Sequence, residues 1–443
     1  MKSYSAYEPD SRLPGIEQVP IHWSVLRNSV IFKEVNEAGY GELQLLSILA
    51  DRGVVRQSDT GRKERAPDDR SKYKRILKGD IGYNLMNAFM GAIGVSNYDG
   101  IISPAYAVCR PKIKIEPEYF HHLFRTGIYL IEFDRNAYGI MDERNRLYFD
   151  AFKRIYVPFP PLNEQKVIVK YIDQKLAEID QFISYKRRLI ELLNEQKTVL
   201  INQAVTQGLD PTVSMKPSGI DWLGDIPTHW ERLQIRRALQ SYDYGISDST
   251  HGGGSIKVLK MGHVHDGVVH IPDEGGVKTI EDNLLLKDKD LLFNRTNSPE
   301  LVGKVGLFRD DCTKKVTFAS YLVRLRVKDC TAPEFLNYLL NSHLMLSKAR
   351  QNALHSLNQS NLNPSRYSQM EISLPPFDEQ IEIISFIERE SEVIDCAIAQ
   401  AEKEIELIQE YRTTLISDAV TGKIDVRDKL KAEASVALGG VRP

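Results

Sequence analysis

Three histidines within eight residues, His263, His265 and His270, are the nearest approach to a metal-ligand set in this 443-residue sequence. His263 and His265 would share a strand face, but no acidic or cysteine ligand stands at a compelling spacing, so no metal centre is expected. The four cysteines, Cys109, Cys312, Cys330 and Cys396, are scattered without a C-x-x-C pair. They predict neither a disulfide framework nor a zinc site. No G-x-x-x-x-G-K-[ST] loop exists, and HGGGSIK (251–257) lacks dinucleotide-binding spacing and reads as a flexible loop. Asn363-Pro364-Ser365-Arg366 departs from the Asn/Asp-Pro-Pro-aromatic tetrapeptide with which amino-methyltransferases hold an amine. A metal nuclease needs PD followed by (D/E)-x-K. Pro272-Asp273 has no such sequel, and the triplets at 164–166, 173–175 and 195–197 fall on one helix, where solvated surface explains them. The chain reads as non-catalytic, with no cofactor of its own.

Residues suited to binding are better represented. The stretch 52–78 holds ten Lys+Arg and four acids with little apolar content. That suits a mobile loop reaching toward phosphates through Arg52, Arg56, Arg62, Lys63, Arg65, Arg70, Lys72, Lys74 and Arg75. A second cluster, Asn294-Arg295-Thr296-Asn297-Ser298, follows an apolar strand; Arg295 and Asn297 can make paired hydrogen bonds to guanine and adenine edges. A third, His355 to Asn361, offers Gln359, Ser360 and Asn361. Turn chemistry accounts for such Asn/Ser-rich loops equally well. Asp80 and Asp290, each entering a strand, read as turn formers.

These clusters must be carried by two long helices. Stepping by four and three from Val169 gives Ile172, Leu176, Ile179, Ile183, Lys186, Ile190, Leu193, Lys197, Leu200 and Ala204, the seam of a coiled coil. Pro160-Pro161 precedes this rod, Asn163 can cap it and Gly208 stops it. The seam returns 215 residues later as Ile384, Ile387, Ser391, Ile394, Ile398, Ala401, Ile405, Ile408, Arg412, Leu415 and Ala419, with no insertion. PPLNEQ becomes PPFDEQ and AVTQGLD becomes AVTGKID. An unbroken duplicated register is best explained if the copies pack on each other, and a whole domain between them favours antiparallel packing.

The intervening segments repeat as well. Val19-Pro20-Ile21-His22-Trp23 answers Ile226-Pro227-Thr228-His229-Trp230, and Gly79 to Asn84 answers Lys289 to Asn294. The predicted fold is therefore α+β: two globular domains alternating with two long helices that pair as an antiparallel coiled coil, a pseudo-two-fold tandem repeat. Its parts are residues 1–160, 161–210, 211–375, 376–426 and a frayed tail, 427–443. Short strands with a single helix are expected in each domain, the helices near 117–130 and 333–350. Because the second domain follows the first rod, the N-terminus should lie near the end of the second. The net charge of −2 conceals a division. Residues 1–160 carry 23 basic against 20 acidic side chains and 211–375 carry 20 against 18, while 376–443 carry 8 against 15. Mildly basic heads permit an anionic partner. With no run of 18 apolar residues and a polar start, a cytoplasmic protein without membrane contact is expected.

PPLNEQ with AVTQGLD, PPFDEQ with AVTGKID, GDIGYNLM and DKDLLFNRTNSPELVGKVG together resemble the specificity subunit of Type I restriction–modification systems, over nearly the whole chain. The one departure is Gln207-Gly208 where a glycine usually follows Val-Thr directly. The resemblance implies a non-enzymatic reader of double-stranded DNA whose two target-recognition domains read a split, asymmetric target. It implies two modification subunits that methylate adenine with S-adenosylmethionine, and restriction subunits that cut and translocate with ATP, neither cofactor binding this chain. Stiff rods could set two heads one to two helical turns apart, at ~34–36 Å per turn. Tyr171, Phe182, Tyr185 and Leu192, outside the seam, are candidates for packing partner subunits, with contact to the neighbouring heads as the competing use. A coiled-coil scaffold with protein-binding heads is the alternative class.

Overall fold

A computed structural model describes residues 3–61, 69–139, 145–220, 222–247, 254–310, 314–355 and 359–427. The two rods are continuous α-helices, Leu162–Gln207 and Phe377–Val420. Each begins at the second proline of its pair: the Glu164 and Gln165 N–H groups donate to the Pro161 carbonyl, and that of Gln380 to Pro376. Asn163, the expected cap, lies inside the first turn and is exposed, because the Pro161 carbonyl already serves the first amides. Gly208 and Gly422 end the rods in the left-handed region at φ 79° and 77°, where a side chain would be strained. The glycine comes later in the first copy, which carries that helix slightly farther.

The chain divides into two compact units, Met1–Lys186 with Lys403–Pro443, and Arg187–Glu402. Each holds one head and part of both rods. In the first unit, Arg412 donates to Asp180 at 2.7 Å and Lys186 meets Glu404 at 2.6 Å. One rod ascends in number as its partner descends, so the pairing is antiparallel. In the second unit Lys197 meets Asp395 at 2.6 Å. No seam position is exposed. Ile172, Ile179, Ile183, Ile387, Ile394 and Leu415 are buried, and Leu176, Ile190, Leu193, Ile398, Ile405 and Ile408 half-buried. Each fully buried side chain contributes about 1.5–3 kcal/mol. The ends of the seam serve twice, since Ile172 and Leu415 join the core of the first head and Ile387 that of the second. The N-terminus lies at the end of the second rod, as the repeat requires: the Tyr7 hydroxyl donates to the Gly422 and Lys423 carbonyls, and Arg427 sits over the Tyr4 ring.

Each head is built on four antiparallel strands, to which the second head adds a strand parallel to Val305–Leu307. In the first, the order is Phe32–Glu34, Tyr106–Pro111, Ile81–Asn84, Ile93–Val95. In the second, Leu239–Tyr244, Leu322–Val327, Leu291–Asn294 and Val305–Leu307 repeat that order, and Val268–Val269 and Val264–His265 extend the edge. Where one helix is expected in each head the structure has two, Pro117–Phe124 with Gly127–Asn136 and Pro333–Leu340 with His343–Gln351. The Ser342 hydroxyl accepts the Met345 N–H and so caps a new helix instead of continuing the old one.

The two repeated motifs meet in space, a contact the sequence does not announce. Glu164 accepts the Trp23 indole N–H at 3.1 Å, an N–H of the His22 ring at 2.8 Å and the Tyr4 hydroxyl. Glu379 accepts the same pair in the second head, Trp230 at 3.1 Å and His229 at 2.7 Å. Gln165 donates to the Pro160 carbonyl and accepts the Glu116 N–H, both at 2.9 Å. Gln380 repeats this with Pro375 at 2.9 Å and Ala332 at 2.8 Å. The Glu-Gln pair opening each rod therefore clamps its own head. Glu164 is buried, which corrects its reading as solvated rod surface.

Candidate nucleic-acid interface

Leu291–Asn294 is buried throughout, because it is the central strand of an apolar sheet; the Phe293 ring stacks on Tyr367 at 4.0 Å. The chain leaves that core at Arg295 and at once forms a second, polar ribbon. Thr296–Asn297 pairs with Ser360–Asn361, which pairs in turn with Leu354–His355. Two clusters more than fifty residues apart in the sequence thus become one small sheet. The Leu362 N–H donates to the Arg295 carbonyl at 2.8 Å, locking the ribbon to the strand.

The side chains are interlinked. The Arg295 guanidinium lies 5.3 Å from the Tyr244 ring centre and donates a long bond, 3.5 Å, to the Asn361 Oδ1. Asn361 Nδ2 donates to the Thr296 hydroxyl at 3.2 Å, and Asn297 Oδ1 accepts the Ser298 N–H at 2.8 Å. Thr296 and Ser360 are buried, Asn297 and Asn361 half-buried, Gln359 exposed. The Arg295 Nε and the Asn294 Oδ1 are buried without a partner among the described residues. Neither atom is within reach of a base edge; the half-buried Arg295, Asn297 and Asn361 side chains are what such edges could meet. Tyr244 and Tyr321, exposed by 46% and 47%, widen the face and were not singled out in the sequence. The alternating pattern of Leu239–Tyr244, with tyrosines at 242 and 244, was the one available signal. Ser356, Leu357 and Asn358 lie outside the described residues.

In the first head the basic stretch is not a single loop. Gly53–Arg56 pairs with Leu46–Leu49, and Lys74–Ile76 with Gly100–Ile102. Val54 and Ile76 anchor these ends in a small core with Leu46, Ile48 and Ile102. Arg52 and Arg56 are exposed; Arg52 donates to the Asp59 carbonyl at 3.2 Å and Arg56 lies over the Tyr98 ring. Lys72 is exposed and Arg70 half-buried. Lys74 is spent internally: it donates to the Tyr106 carbonyl at 2.7 Å, and burial lowers its ammonium below the ordinary value. Arg75 lies over the Tyr40 ring, 3.8 Å from Glu37. Arg62, Lys63 and Arg65 lie outside the described residues.

The remaining candidates resolve into structure. Asp80 accepts the Leu77 N–H as a turn former, but it is also buried and takes two bonds from Arg110, at 3.0 and 3.1 Å. Asp290 repeats this with Lys287 and Arg326. Such a pair pins two neighbouring strands. His263 ends a short turn and not a strand, and its Nδ1 accepts the Lys260 N–H; His265 stacks on His270 at 4.0 Å. No group of three or more metal-ligating side chains is found among the described residues. Cys109, Cys330 and Cys396 are free thiols, while Cys312, residues 251–253 of the glycine-rich loop and residues 428–443 of the tail lie outside the described residues. Tyr171 is buried in the first head, so the head takes it; Phe182, Tyr185 and Leu192 are exposed. No helix among the described residues is long and apolar enough to cross a membrane.

This architecture has known counterparts. The fold matches the crystal structure of the HsdS subunit from Thermoanaerobacter tengcongensis with a TM-score of 0.59 at 15% identity, over 93% of this chain and 99% of that one. The sequence is 23% identical to the Type I restriction enzyme EcoKI specificity subunit of Escherichia coli strain K12, over 72% of this chain and 68% of that protein. It is 23% identical to the Type I restriction enzyme StySPI specificity subunit of Salmonella potsdam, over 74% of each. Residues 64–192 and 245–409, well over half the sequence, match the Type I restriction modification DNA specificity domain, and the chain belongs to that family of specificity subunits.

Proposed function

We propose that this specificity subunit reads a split, asymmetric DNA target, one half with each head, and docks adenine-methylating modification subunits and restriction subunits in the cytoplasm. The observation that carries the reading is the polar ribbon of the second head. Arg295 and Asn361, distant in sequence, meet beside exposed Tyr244, over an apolar strand that fixes their position, with Asn297 on the neighbouring rung of the ribbon. Arginine pairs with guanine and asparagine with adenine in the major groove. In the first head, Arg52, Arg56 and Lys72 are placed to meet phosphates, which orient a protein without conveying sequence.

The clamps support a division of labour. Each head is fastened to its rod by the same Glu-Gln pair, so head residues can vary without loosening the scaffold. Exposed Phe182 and Tyr185 on the first rod are left for partner subunits. The methyl donor and ATP belong to those partners. The five-part division at residues 160, 210, 375 and 426 is proposed with this function.

The test is exchange of residues 1–160 for the corresponding domain of another family member, followed by methylation sequencing of host DNA. One half of the modified sequence should change and the other stay. A change in both halves, or in neither, refutes the assignment of one half to each head.

A further inference from the structure

The ribbon of the second head has a counterpart in the first that contains a different set of side chains. Tyr138 and Arg146 form an antiparallel bridge, their N–H and carbonyl groups exchanging bonds of 3.1 Å. Leu354 and Asn361 are paired in the same way in the second head. The Leu147 N–H donates to the Leu85 carbonyl at 2.8 Å, as Leu362 does to Arg295. Leu147 and Leu362 are both fully buried. Beneath them the Tyr83 and Phe152 rings lie 5.2 Å apart where Phe293 and Tyr367 stack. The scaffold is the same, so Arg146 stands at the station of Asn361, and Tyr138 at that of Leu354.

What faces outward there suits a base-reading surface. Arg146 is exposed, and among the described residues its guanidinium has no hydrogen-bond or carboxylate partner. Tyr138, 54% exposed and bridged to Arg146 through the backbone, and Tyr148, 36% exposed, pack on each other with ring centres 5.1 Å apart. Met86 and Met90 are exposed beyond the same strand end, at 39% and 62%. An exposed guanidinium on a backbone-fixed bridge, unpartnered among the described residues and neighboured in the chain by a pair of tyrosines, can make a paired hydrogen bond to the O6 and N7 of guanine. An exposed apolar methionine fits a thymine methyl equally well.

We infer that Arg146 reads a guanine in the half-site of the first head, with Tyr138 and Tyr148 supporting it, and that exposed Arg52, Arg56 and Lys72 supply phosphate contacts to the same half. This rests on the DNA-reading function proposed above. It assigns the first head's specificity to a bridge that carries no cluster of basic residues in the sequence.

The experiment uses the full chain with its modification subunits, scoring methylation of a randomised DNA library. Complexes carrying Arg146→Ala and Arg146→Lys are compared with wild type, and complex formation confirms assembly. The wild-type motif should contain a guanine in one half. Discrimination at that guanine should fall about 5- to 150-fold in Arg146→Ala, as loss of one paired contact predicts. Arg146→Lys, which keeps charge but loses the planar fork, should not restore it, and the other half should stay unchanged. An unaltered motif in Arg146→Ala overturns the inference. So does a uniform loss across all sequences with a shallower salt dependence, which would make Arg146 a phosphate contact. A wild-type complex that modifies no defined sequence would instead bring down the reading beneath it.

Discussion

Removing the Glu164 carboxylate should loosen the first head from its rod and leave the second untouched. Glu164 is 7% exposed and accepts hydrogen bonds from Trp23, Tyr4 and His22. Hydrogen bonds to an ionised group contribute about 1.5–3 kcal/mol each, and unpaired buried donors cost about as much. His22 is 36% exposed, so its share is discounted for solvent screening. Glu164→Ala should therefore cost about 3–5 kcal/mol. Glu379 accepts two bonds and its side chain is 24% exposed. Glu379→Ala should cost roughly 2–3 kcal/mol, confined to the second head. Hydrogen exchange read by mass spectrometry resolves the two, because peptides spanning 4–23 and 225–234 report on different clamps. If Glu164→Ala leaves exchange in the first head at the wild-type rate, or deprotects both heads alike, the clamp does not hold the head as argued.

Three further outcomes follow from the same geometry. Ile179→Asp places a carboxylate in a seam position that is 4% exposed, and should cost upwards of about 3 kcal/mol and prevent assembly with the modification subunits, whereas Tyr185→Ala, at a position 65% exposed, should alter stability by less than about 0.5 kcal/mol while weakening that assembly; denaturation and co-purification separate the two. Burial, with the nearby His122 and Arg125 charges, pushes His121 from 6.5 down to about 3, its Nδ1 accepting the Val95 N–H. The unfolded chain then binds the extra proton between those values, so the neutral imidazole's contribution is complete above pH 6.5 and declines as pH falls toward about 3; His121→Leu should flatten that decline in denaturation midpoints measured from pH 7 to 4. Asp290→Asn should weaken the pinning of Arg326 by about 2–4 kcal/mol and raise exchange in Leu291–Asn294, and unchanged exchange there would refute the role.

The rods were legible because a seven-residue period, repeated in register, has few explanations other than a buried seam. The duplication of the heads was legible too, from Val19–Trp23 and its counterpart. The clamp was not. Trp23 and Glu164 are 141 residues apart, and nothing in their local patterns distinguishes a glutamate that accepts an indole from one facing water. A (D/E)-x-K triplet on a long helix reads as solvated surface, which the buried Glu164 is not. The strand ends of the basic stretch were hidden because Val54-Val55 and Ile76-Leu77 are lone apolar pairs, and an alternating pattern cannot be detected in so few positions. The ribbon was half visible: its asparagines and arginine stood out, but their convergence depends on a pairing across more than sixty residues, and Tyr244 and Tyr321 carried no composition signal.

The two copies differ where they face outward and agree where they are clamped. Trp23 and Trp230 reach their glutamates at the same 3.1 Å, and the paired glutamines take the same partners within 0.1 Å. At the ribbon, Arg295 answers Leu85, Asn361 answers Arg146 and Leu354 answers Tyr138. Stability is concentrated in the part that is shared, so substitution at exposed stations such as Arg146 and Tyr138 costs the fold little. Surface changes away from buried partners usually stay within about 0.5 kcal/mol. A guanidinium and a carboxamide at one station favour different base edges. On the proposed reading the two heads would favour different bases, and a palindromic target would leave one of them mismatched.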